Sequence, residues 1–486
     1  MKKLISILFV MVLTFTQIAC SNIGDSKESN SDISENTSSV DDDGDKPILP
    51  ERDMDGKNFT VLNTSWTTSK YAPLEITDIY VESSSEDGIE SATYNRMLYM
   101  EDKYGCTVSQ HCIVSGEEFS TILAANRSGD VPYQFCLIRS QNFATLVTAG
   151  TLCELGEIPY IDVEKPWWNK ESYDSLAIIN KHFGVASSIT VNDELSAWAV
   201  YFNKRMIADN SLDNPYELVK DMEWTYGKVF EMAQIVSSDY NKDGKMDGND
   251  IYGVSHIRDG LIGMINSCGV TIAQNNEEGI PEFTFTEKGP LDKIDNILSK
   301  IYKTNVCINL HNFDTGMSEG QFFMNGRSLF SFSGIYTGNE LRSMDEAYGI
   351  LPYPLYDENQ TRYYSGTSGL FLTLMVVPNG NNELDDLGIF LEDFAWYGYK
   401  HITPEFYDVL LSQKVAYDEE SREMLDFIFD NMVYDTGNIG NYGQIAEKLI
   451  WLTSTYNKNL SSFIAGELPQ AEKKIENLVN AVQRWE

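Results

Sequence analysis

The sequence predicts an α/β fold with more than one hydrophobic core. Its 486 residues exceed the length that one core usually spans. After a polar N-terminal segment, patterns typical of strands and helices alternate in the order β-α-β-α-β. Residues 184–204 then combine an extended segment, a polar turn and an apolar run, before a new block of helical pattern. We therefore expect a largely parallel sheet with helices on both faces, followed by a crossover into a second α/β region.

The first five elements follow from local patterns. Strands are predicted where β-forming residues cluster or alternate, and helices where apolar residues recur at helical spacing, with Gly105 ending the first helix. The predicted elements are strand 58–62, helix 88–104, strand 106–114, helix 117–125 and strand 134–138. Ligands of such sheets bind beyond the carboxyl ends of the strands. That rule makes Trp66 and Arg139 candidate binding residues.

The N-terminus is typical of an exported lipoprotein. Lys2 and Lys3 precede an apolar run at residues 4–15, which is too short to cross a bilayer. We predict a signal peptide over residues 1–20, with Cys20 as the lipidated residue. Gln17 stands where lipoproteins usually have an aliphatic residue, so a secretory peptide cut elsewhere is the alternative. The sequence contains no second apolar stretch of about 18 residues.

Composition narrows the possible partners. Residues 21–53 are polar and acidic, which predicts a disordered tether. The formal charge is −37, from 36 Lys and Arg against 73 Asp and Glu, which argues against nucleic acid as a partner.

Six cysteines besides Cys20 permit disulfides in an exported protein. Cys136 lies in an apolar run, where a buried thiol is the favoured interpretation.

One loop has the spacing of a calcium site. The pattern D-x-N-x-D-G-x-x-D-x-x-D places oxygen ligands at positions 1, 3, 5, 7, 9 and 12, with Gly244 at the sharp turn. The predicted ligands are Asp239, Asn241, Asp243, Lys245 through its carbonyl, Asp247 and Asp250. Asp250 replaces the usual Glu at the last position. We expect a structural Ca²⁺, and a solvated acidic turn is the alternative.

Catalytic motifs are not apparent in the sequence. The five His are scattered, and no H-E-x-x-H, G-x-S-x-G, P-loop or dinucleotide-binding pattern occurs. Carboxylates are so abundant that counting them does not exclude a glycosidase pair. We expect a protein that is not an enzyme.

Several motifs, in order along the chain, resemble the extracellular solute-binding proteins (family 1) that deliver sugars to ABC importers. Phe202-Asn203-Lys204 stands where such chains commonly enter their second lobe with Tyr-Asn-Lys. A Pro-Trp-Trp-Asn segment ends at Asn169, and an Asp-x-x-Trp-Thr segment ends at Thr225, with Met222 in place of the usual Gly. Residues 349–360 and 418–425 also match patterns of this family. The resemblance extends from about residue 59 to the final helix.

The resemblance implies a two-lobed, periplasmic-binding-protein-like fold of type II, which closes over its ligand at hinge crossovers. Crossovers are expected near residues 184–190, 354–362 and 401–408. The first lobe would comprise residues 54–185 plus 358–404, and the second residues 188–355 plus 405–486. The expected ligand is an oligosaccharide. The expected protein partners are the permease subunits of an importer, for a monomer anchored by lipid to the outer face of the cell membrane.

Candidate ligand-binding residues are aromatics beside polar residues at predicted crossovers and strand ends. Sugars place C–H faces on aromatic rings and hydrogen-bond through their hydroxyls. The candidates are Trp66, Trp168, Trp198, Tyr336 and Tyr364, with Arg139, Asp193 and Glu194 as polar partners. Tyr336 is the first choice, because it follows a strand-to-turn segment where sugar-binding relatives often place a stacking Trp. Core packing is the alternative for each aromatic.

Two other classes of function stay open at this point. One is a secreted carbohydrate-active hydrolase, which turnover of a glycan would favour. The other is a surface adhesion or scaffold lipoprotein, which tight binding to another protein without a small ligand would favour.

Overall fold

Two β-sheets with flanking helices organise the chain. The structure is a computed structural model, and it describes residues 46–65, 77–313, 315–344, 346–411, 419–454 and 460–484. The predicted signal peptide, Cys20 and the tether up to residue 45 lie outside the described residues. In the described part of the chain, no helix combines the length and the apolar character needed to cross a membrane.

The strands of the described residues are β1 Asn58–Ser65, β2 Thr107–Val114, β3 Phe135–Arg139, β4 Trp198–Asn203, β5 Tyr252–His256, β6 Ala273–Asn275, β7 Pro281–Phe283, β8 Cys307–Asn309, β9 Ser328–Gly334, β10 Tyr348–Leu351, β11 Ser365–Gly366, β12 Thr373–Val376 and β13 Met432–Val433.

The α-helices of the same residues are α1 Gly88–Tyr104, α2 Glu118–Ser128, α3 Phe143–Thr148, α4 Lys170–Ser175, α5 Asn192–Leu195, α6 Lys204–Asp209, α7 Pro215–Lys220, α8 Tyr226–Val236, α9 Gly260–Ser267, α10 Lys288–Lys303, α11 Glu319–Met324, α12 Gly338–Leu341, α13 Leu384–Tyr397, α14 Thr403–Leu411, α15 Glu419–Asp430, α16 Thr436–Ile439, α17 Ile445–Ser454 and α18 Leu460–Gln483.

The first sheet has the order β12-β3-β1-β2 and centres the first lobe. Strands β1, β2 and β3 are parallel, and β12 joins β3 in antiparallel register. The helix between β1 and β2 begins at the N-cap Asp87, whose side chain accepts from the N–H of Glu90. It ends at Gly105, where a φ of +61° requires the left-handed conformation that glycine adopts most readily. The predicted β-α-β-α-β order is confirmed over these elements.

The second sheet, of order β10-β4-β9-β5-β8, centres the second lobe. Strand β5 is parallel to its neighbours β8 and β9, whereas β4 is antiparallel to both β9 and β10. The expectation of largely parallel pairing therefore holds for the first sheet, while the second is mixed. The first crossover enters the second sheet at the end where β9 finishes, since Trp198 pairs with Gly334. Strand β4 therefore runs antiparallel to β9.

Three connections join the two sheets. Val185 still bonds to Met375 of β12 in the first lobe, and Trp198 begins β4 in the second, so the first crossover lies between them. The second lies between β10 and β12. The third lies between α13, which packs on the first sheet, and α15, which packs on β10. The exact lobe boundaries given above stay predictions.

The apolar core forms two clusters. One covers the face of the first sheet that packs on α1 and α13, where the rings of Phe59 and Phe390 stack with centroids 4.0 Å apart. The other runs from the opposite face of that sheet into the second lobe. Trp224 and Trp396 are buried in the core, and Cys136 is a buried thiol, as the apolar run around it predicts. Because the second cluster continues from one lobe into the other, the two lobes are in direct apolar contact.

Candidate ligand-binding site

A small cavity lies between the two lobes, beyond the carboxyl end of β3. Gln141 from the first lobe lines it together with Trp198 and Asp259 from the second. Ser368 and Gly369, from the second crossover, complete one wall. Its volume is about 50 Å³. Its position agrees with the rule that open α/β sheets bind ligands outside the carboxyl ends of their strands.

A larger groove of about 540 Å³ adjoins this cavity, and Asn441 lines both. One wall of the groove comes from α2 and α3 of the first lobe, and the other from the segment around Tyr442 and from α17 and α18. Its polar lining includes Lys448, Gln470 and Asn477. We call the cavity and the groove together the interlobe cleft.

Two polar atoms of the cleft lack a partner within the described residues. The indole Nε1 of Trp198, a donor, and the amide Oδ1 of Asn441, an acceptor, are buried without a hydrogen bond. A buried polar atom without a partner costs free energy, which a ligand that pairs with it would recover. The cleft thus offers a donor and an acceptor to an incoming polar ligand.

Tyr336 does not itself line the cleft but contacts Trp198, which does. Its ring meets Trp198 edge-on, with centroids 6.3 Å apart, and stacks on Phe371 with centroids 4.2 Å apart. Phe371 lies just before β12 of the first lobe. One face of the Tyr336 ring is therefore covered by the opposite lobe, and a ligand could stack there only after the lobes separate.

A buried carboxyl group supports Tyr336. The hydroxyls of Ser333 and Tyr336 donate to Oε2 of Glu319, at 2.9 and 3.4 Å. Burial raises the pKa of Glu319 to about 7, although the bond from Ser333 opposes that shift. This network fixes the position of the Tyr336 ring beside Trp198.

Three other sequence candidates lie elsewhere or outside the described residues. Arg139 is buried, and its Nη1 donates to the carbonyl of Phe371 (3.1 Å) and to the hydroxyl of Thr373 (2.9 Å), so it ties β3 to the start of β12. Tyr364 lies beside Gly269, and the guanidinium of Arg362 covers its ring. Trp66 falls outside the described residues.

Trp168, Asp193 and Glu194 meet at a different place. They line a cavity of about 260 Å³ formed by residues 166–171, the first-crossover residues 187–188 and 193–194, and residues 429–434. We call this cavity the crossover pocket. The structure therefore divides the sequence candidates between two places, with Trp198 and Tyr336 at the cleft and these three at the crossover pocket.

The predicted calcium loop lies on the surface of the second lobe, before β5. Its carboxylates accept from N–H groups of the loop, for example Asp239 from Gly244 (2.8 Å) and Asp250 from Asp247 (2.8 Å). Gly244 has a φ of +84°, which fits the sharp turn of such loops. Among the described residues, no three Asp, Glu, His or Cys side chains are grouped closely enough to hold a metal ion. The oxygen atoms of this loop are of the type that binds Ca²⁺. Binding of Ca²⁺ at the loop stays a prediction.

Sequence reasoning missed the C-terminal wall of the cleft. Asn441, Tyr442 and Gln470 follow the last motif used above and carry no aromatic-plus-charge pattern of their own. The available signal was the segment Gly437-Asn-Ile-Gly-Asn-Tyr-Gly443, because glycines and asparagines allow the positive φ angles found there. Only the fold places this segment opposite the first lobe.

The fold is that of the sugar-binding proteins of ABC transporters. The structure is similar to a galacto-N-biose- and lacto-N-biose I-binding protein from Bifidobacterium longum, with a TM-score of 0.57 and 10% identity over 88% of this chain and 98% of that one. It is also similar to a cyclo/maltodextrin-binding protein complexed with maltotetraose, with a TM-score of 0.56 and 12% identity over 88% and 97% of the two chains.

A third structure of the same fold is an ABC substrate-binding protein from Listeria monocytogenes in complex with cycloalternan. Its TM-score is 0.52 and its identity 14%, over 88% of this chain and 99% of that one. The sequence matches no protein-family model and none of the curated proteins. The similarity therefore establishes a two-lobed α/β binding-protein fold over almost the whole of the described chain.

Proposed function

We propose that this protein is the substrate-binding component of an ABC importer and captures a carbohydrate, most simply an oligosaccharide, in the interlobe cleft. The main support for the proposal is a pair of buried polar atoms without hydrogen-bond partners, together with a nearby aromatic ring. The N–H of Trp198 and the Oδ1 of Asn441 match the donor and acceptor character of a sugar hydroxyl, and Tyr336 supplies the face for stacking. Solved proteins of this fold that bind sugars support the choice of ligand.

Capture would proceed by movement of the lobes. The interlobe cavity of about 50 Å³ is far below the roughly 300–1,000 Å³ of small-molecule sites. Separation of Tyr336 from Phe371 would join the cavity to the groove and expose the ring for a sugar. Closure would then bury the sugar between the lobes. No covalent chemistry is part of this function.

The cellular setting follows from the same proposal. The protein would lie on the outer face of the cell membrane, held by a lipid on Cys20, and would deliver its ligand as a monomer to permease subunits. The loop at residues 239–250 would hold a structural Ca²⁺. These parts rest on the sequence motifs described above.

Calorimetric titration of the purified protein with a panel of oligosaccharides, in the presence of calcium, tests the function. We expect at least one ligand with a dissociation constant in the micromolar range or below, recovered chemically intact after the titration. Cleavage of the bound glycan would establish a hydrolase instead. If no member of the panel binds, carbohydrate capture is wrong.

A further inference from the structure

The crossover pocket carries an excess of negative charge. Four carboxylates and one ammonium group line it within the described residues: Glu171, Asp193, Glu194, Asp430 and Lys170. Lys170 is already engaged, because its ammonium forms ion pairs with Glu164 and Asp174, which lie outside the lining. The pocket therefore holds more carboxylate charge than its own cation neutralises.

Two oxygen atoms of the lining are buried without a hydrogen bond. They are Oε2 of Glu194 and Oγ of Ser187, whose residue is only 4% exposed. Asp193 beside them is better supplied, since the hydroxyl of Tyr434 donates to its Oδ1 at 2.6 Å. A buried carboxylate oxygen without a donor is costly in free energy. A ligand that brings hydrogen-bond donors would relieve this cost.

A neighbouring carboxyl group shows how this fold satisfies such oxygens elsewhere. Glu392 lies directly behind the pocket and accepts from the indole N–H groups of Trp167 (3.1 Å) and Trp168 (2.7 Å) and from the backbone N–H of Asp162 (3.1 Å). Oε2 of Glu194 has no such donor. The contrast indicates that Oε2 of Glu194 faces a space in which a ligand, rather than a side chain of this protein, can supply the hydrogen bond.

The shape of the pocket favours an organic cation over a metal ion. No three acidic, His or Cys side chains of the described chain are grouped closely enough to ligate one ion. The volume of about 260 Å³ holds several heavy atoms. The lining is mainly polar, which suits a charged ligand, and Trp168, Phe429 and Met432 contribute its small apolar part.

We infer that the crossover pocket binds an organic ammonium cation of the size of a short diamine. One ammonium group would donate to Glu194 and Ser187 in the buried floor, and a second would lie near the exposed rim at Glu171 and Asp430. This site lies outside the interlobe cleft, so it does not depend on which sugar the cleft binds.

Protonation of Glu194 is the competing explanation. Burial raises the pKa of this carboxyl, and the neighbouring Asp193 raises it further. A neutral Glu194 needs no cation, and an empty pocket would then be stable by itself. The two explanations differ in one measurable respect, because only the first predicts saturable binding of an ammonium compound.

The test is a calorimetric titration of the purified protein with putrescine at about 0.15 M NaCl, where general attraction to the acidic surface is screened. Butane-1,4-diol serves as the neutral ligand of the same length. We expect saturable binding of putrescine and none of the diol. Glu194→Gln should weaken putrescine binding about tenfold or more, and Ser187→Ala should weaken it by a smaller factor. The melting temperature of each variant verifies that it is folded.

Glu231→Gln is the matched control, because this side chain is 66% exposed and neither it nor its ion-pair partner Lys228 lines the pocket. Its affinity for putrescine should stay within about twofold of the unchanged protein. The inference is overturned if putrescine does not bind, or if the diol binds equally well. It is also overturned if sodium or potassium ions alone saturate the site, or if Glu231→Gln weakens binding as much as Glu194→Gln.

Discussion

The crossover pocket contains a buried carboxyl group, and another lies near the interlobe cleft; the two differ in how their oxygens are hydrogen-bonded. Near the cleft, Oε2 of Glu319 accepts hydrogen bonds from Ser333 and Tyr336, so it is part of a closed network. In the crossover pocket, Glu194 leaves a buried oxygen without any donor. In the cleft, the buried atoms without a partner are neutral, at Trp198 and Asn441, and the carboxylates of Asp259 and Glu447 also line it.

The difference suggests two kinds of ligand. A neutral sugar can satisfy an isolated N–H and an isolated amide oxygen without bringing charge into a buried site. An unpaired carboxylate requires either a proton or a cation, because a buried charge without a partner is strongly unfavourable. The same acidic chain can therefore contain one site suited to uncharged hydroxyl groups and another suited to a positive group.

The largest expected effect comes from the close approach of Gly398 to the first crossover. A Cβ at Gly398 would lie 1.8 Å from the carbonyl oxygen of Ser188, a residue of the crossover pocket. Gly398→Ala must therefore displace the crossover, and we expect it to lower the free energy of unfolding by about 3 kcal/mol. Chemical denaturation measures this loss. Affinity for putrescine should fall more than affinity for the sugar, because the displaced segment lines only the crossover pocket.

Gly289→Ala provides the control for that substitution. Gly289 lies in α10, and a Cβ there would have no atom within 4 Å. We expect a gain of about 0.4–1 kcal/mol, since alanine restricts the unfolded chain without a clash. Equal losses in the two variants would mean that the close approach at Ser188 is not what limits the crossover.

The Glu319 carboxyl should make stability depend on pH. Its pKa is raised from 4.5 to about 7 in the folded protein, so the unfolded chain releases this proton first as pH rises. The contribution of Glu319 to stability therefore declines between about pH 4.5 and pH 7 and stays low above that. Glu319→Gln should remove this decline, which we expect to amount to about 2 kcal/mol. Parallel stability curves for the two proteins from pH 5 to pH 8 would contradict the inference that burial raises the pKa of Glu319.

Tyr336 tests whether the cleft stacks a sugar. Tyr336→Ala should weaken binding of the sugar by at least about 1 kcal/mol, since stacking adds energy on that scale beyond area burial. Because Tyr336 is buried, the variant will also be less stable, and affinity must be measured well below its melting temperature. Tyr336→Phe keeps the ring and loses the hydroxyl's bonds with Glu319 and Ser333, both 3.4–3.5 Å long, so it should retain most of the affinity. If both variants bind like the unchanged protein, Tyr336 lies outside the sugar site.

The sequence predicted the first lobe well because its signals are local. The helix Gly88–Tyr104 follows from apolar spacing and a terminal glycine, and the buried strand Phe135–Arg139 follows from an apolar run. The candidate sites were harder, because they are assembled from distant segments. Trp168 and Tyr434 are far apart in sequence, yet both line the crossover pocket. No local pattern could show that Glu194 lacks a donor, since that depends on every neighbour in space.

The calcium loop extends the comparison to a third acidic region, at which a metal ion rather than a sugar or an amine is expected. Its carboxylates already bond to loop N–H groups, as Asp239 does to Gly244, so any ion would bind to a loop that is largely folded. We therefore expect a small effect: about 5 mM Ca²⁺ should add about 1 kcal/mol if the dissociation constant is of the order of 1 mM, as in extracellular modules. Thermal denaturation should show a rise of about 2 °C.

Asp239→Ala combined with Asp243→Ala should abolish that rise without changing the affinity of the cleft or of the crossover pocket. Mg²⁺ at the same concentration is the ionic control, because it demands a tighter octahedral shell than this loop would supply. If the unchanged protein gains nothing from Ca²⁺, the loop is a solvated acidic turn held by its own hydrogen bonds. The oxygen spacing that resembles a calcium site would then serve only to cap the turn, and Glu194 and its neighbours would be the remaining candidates for binding a cation.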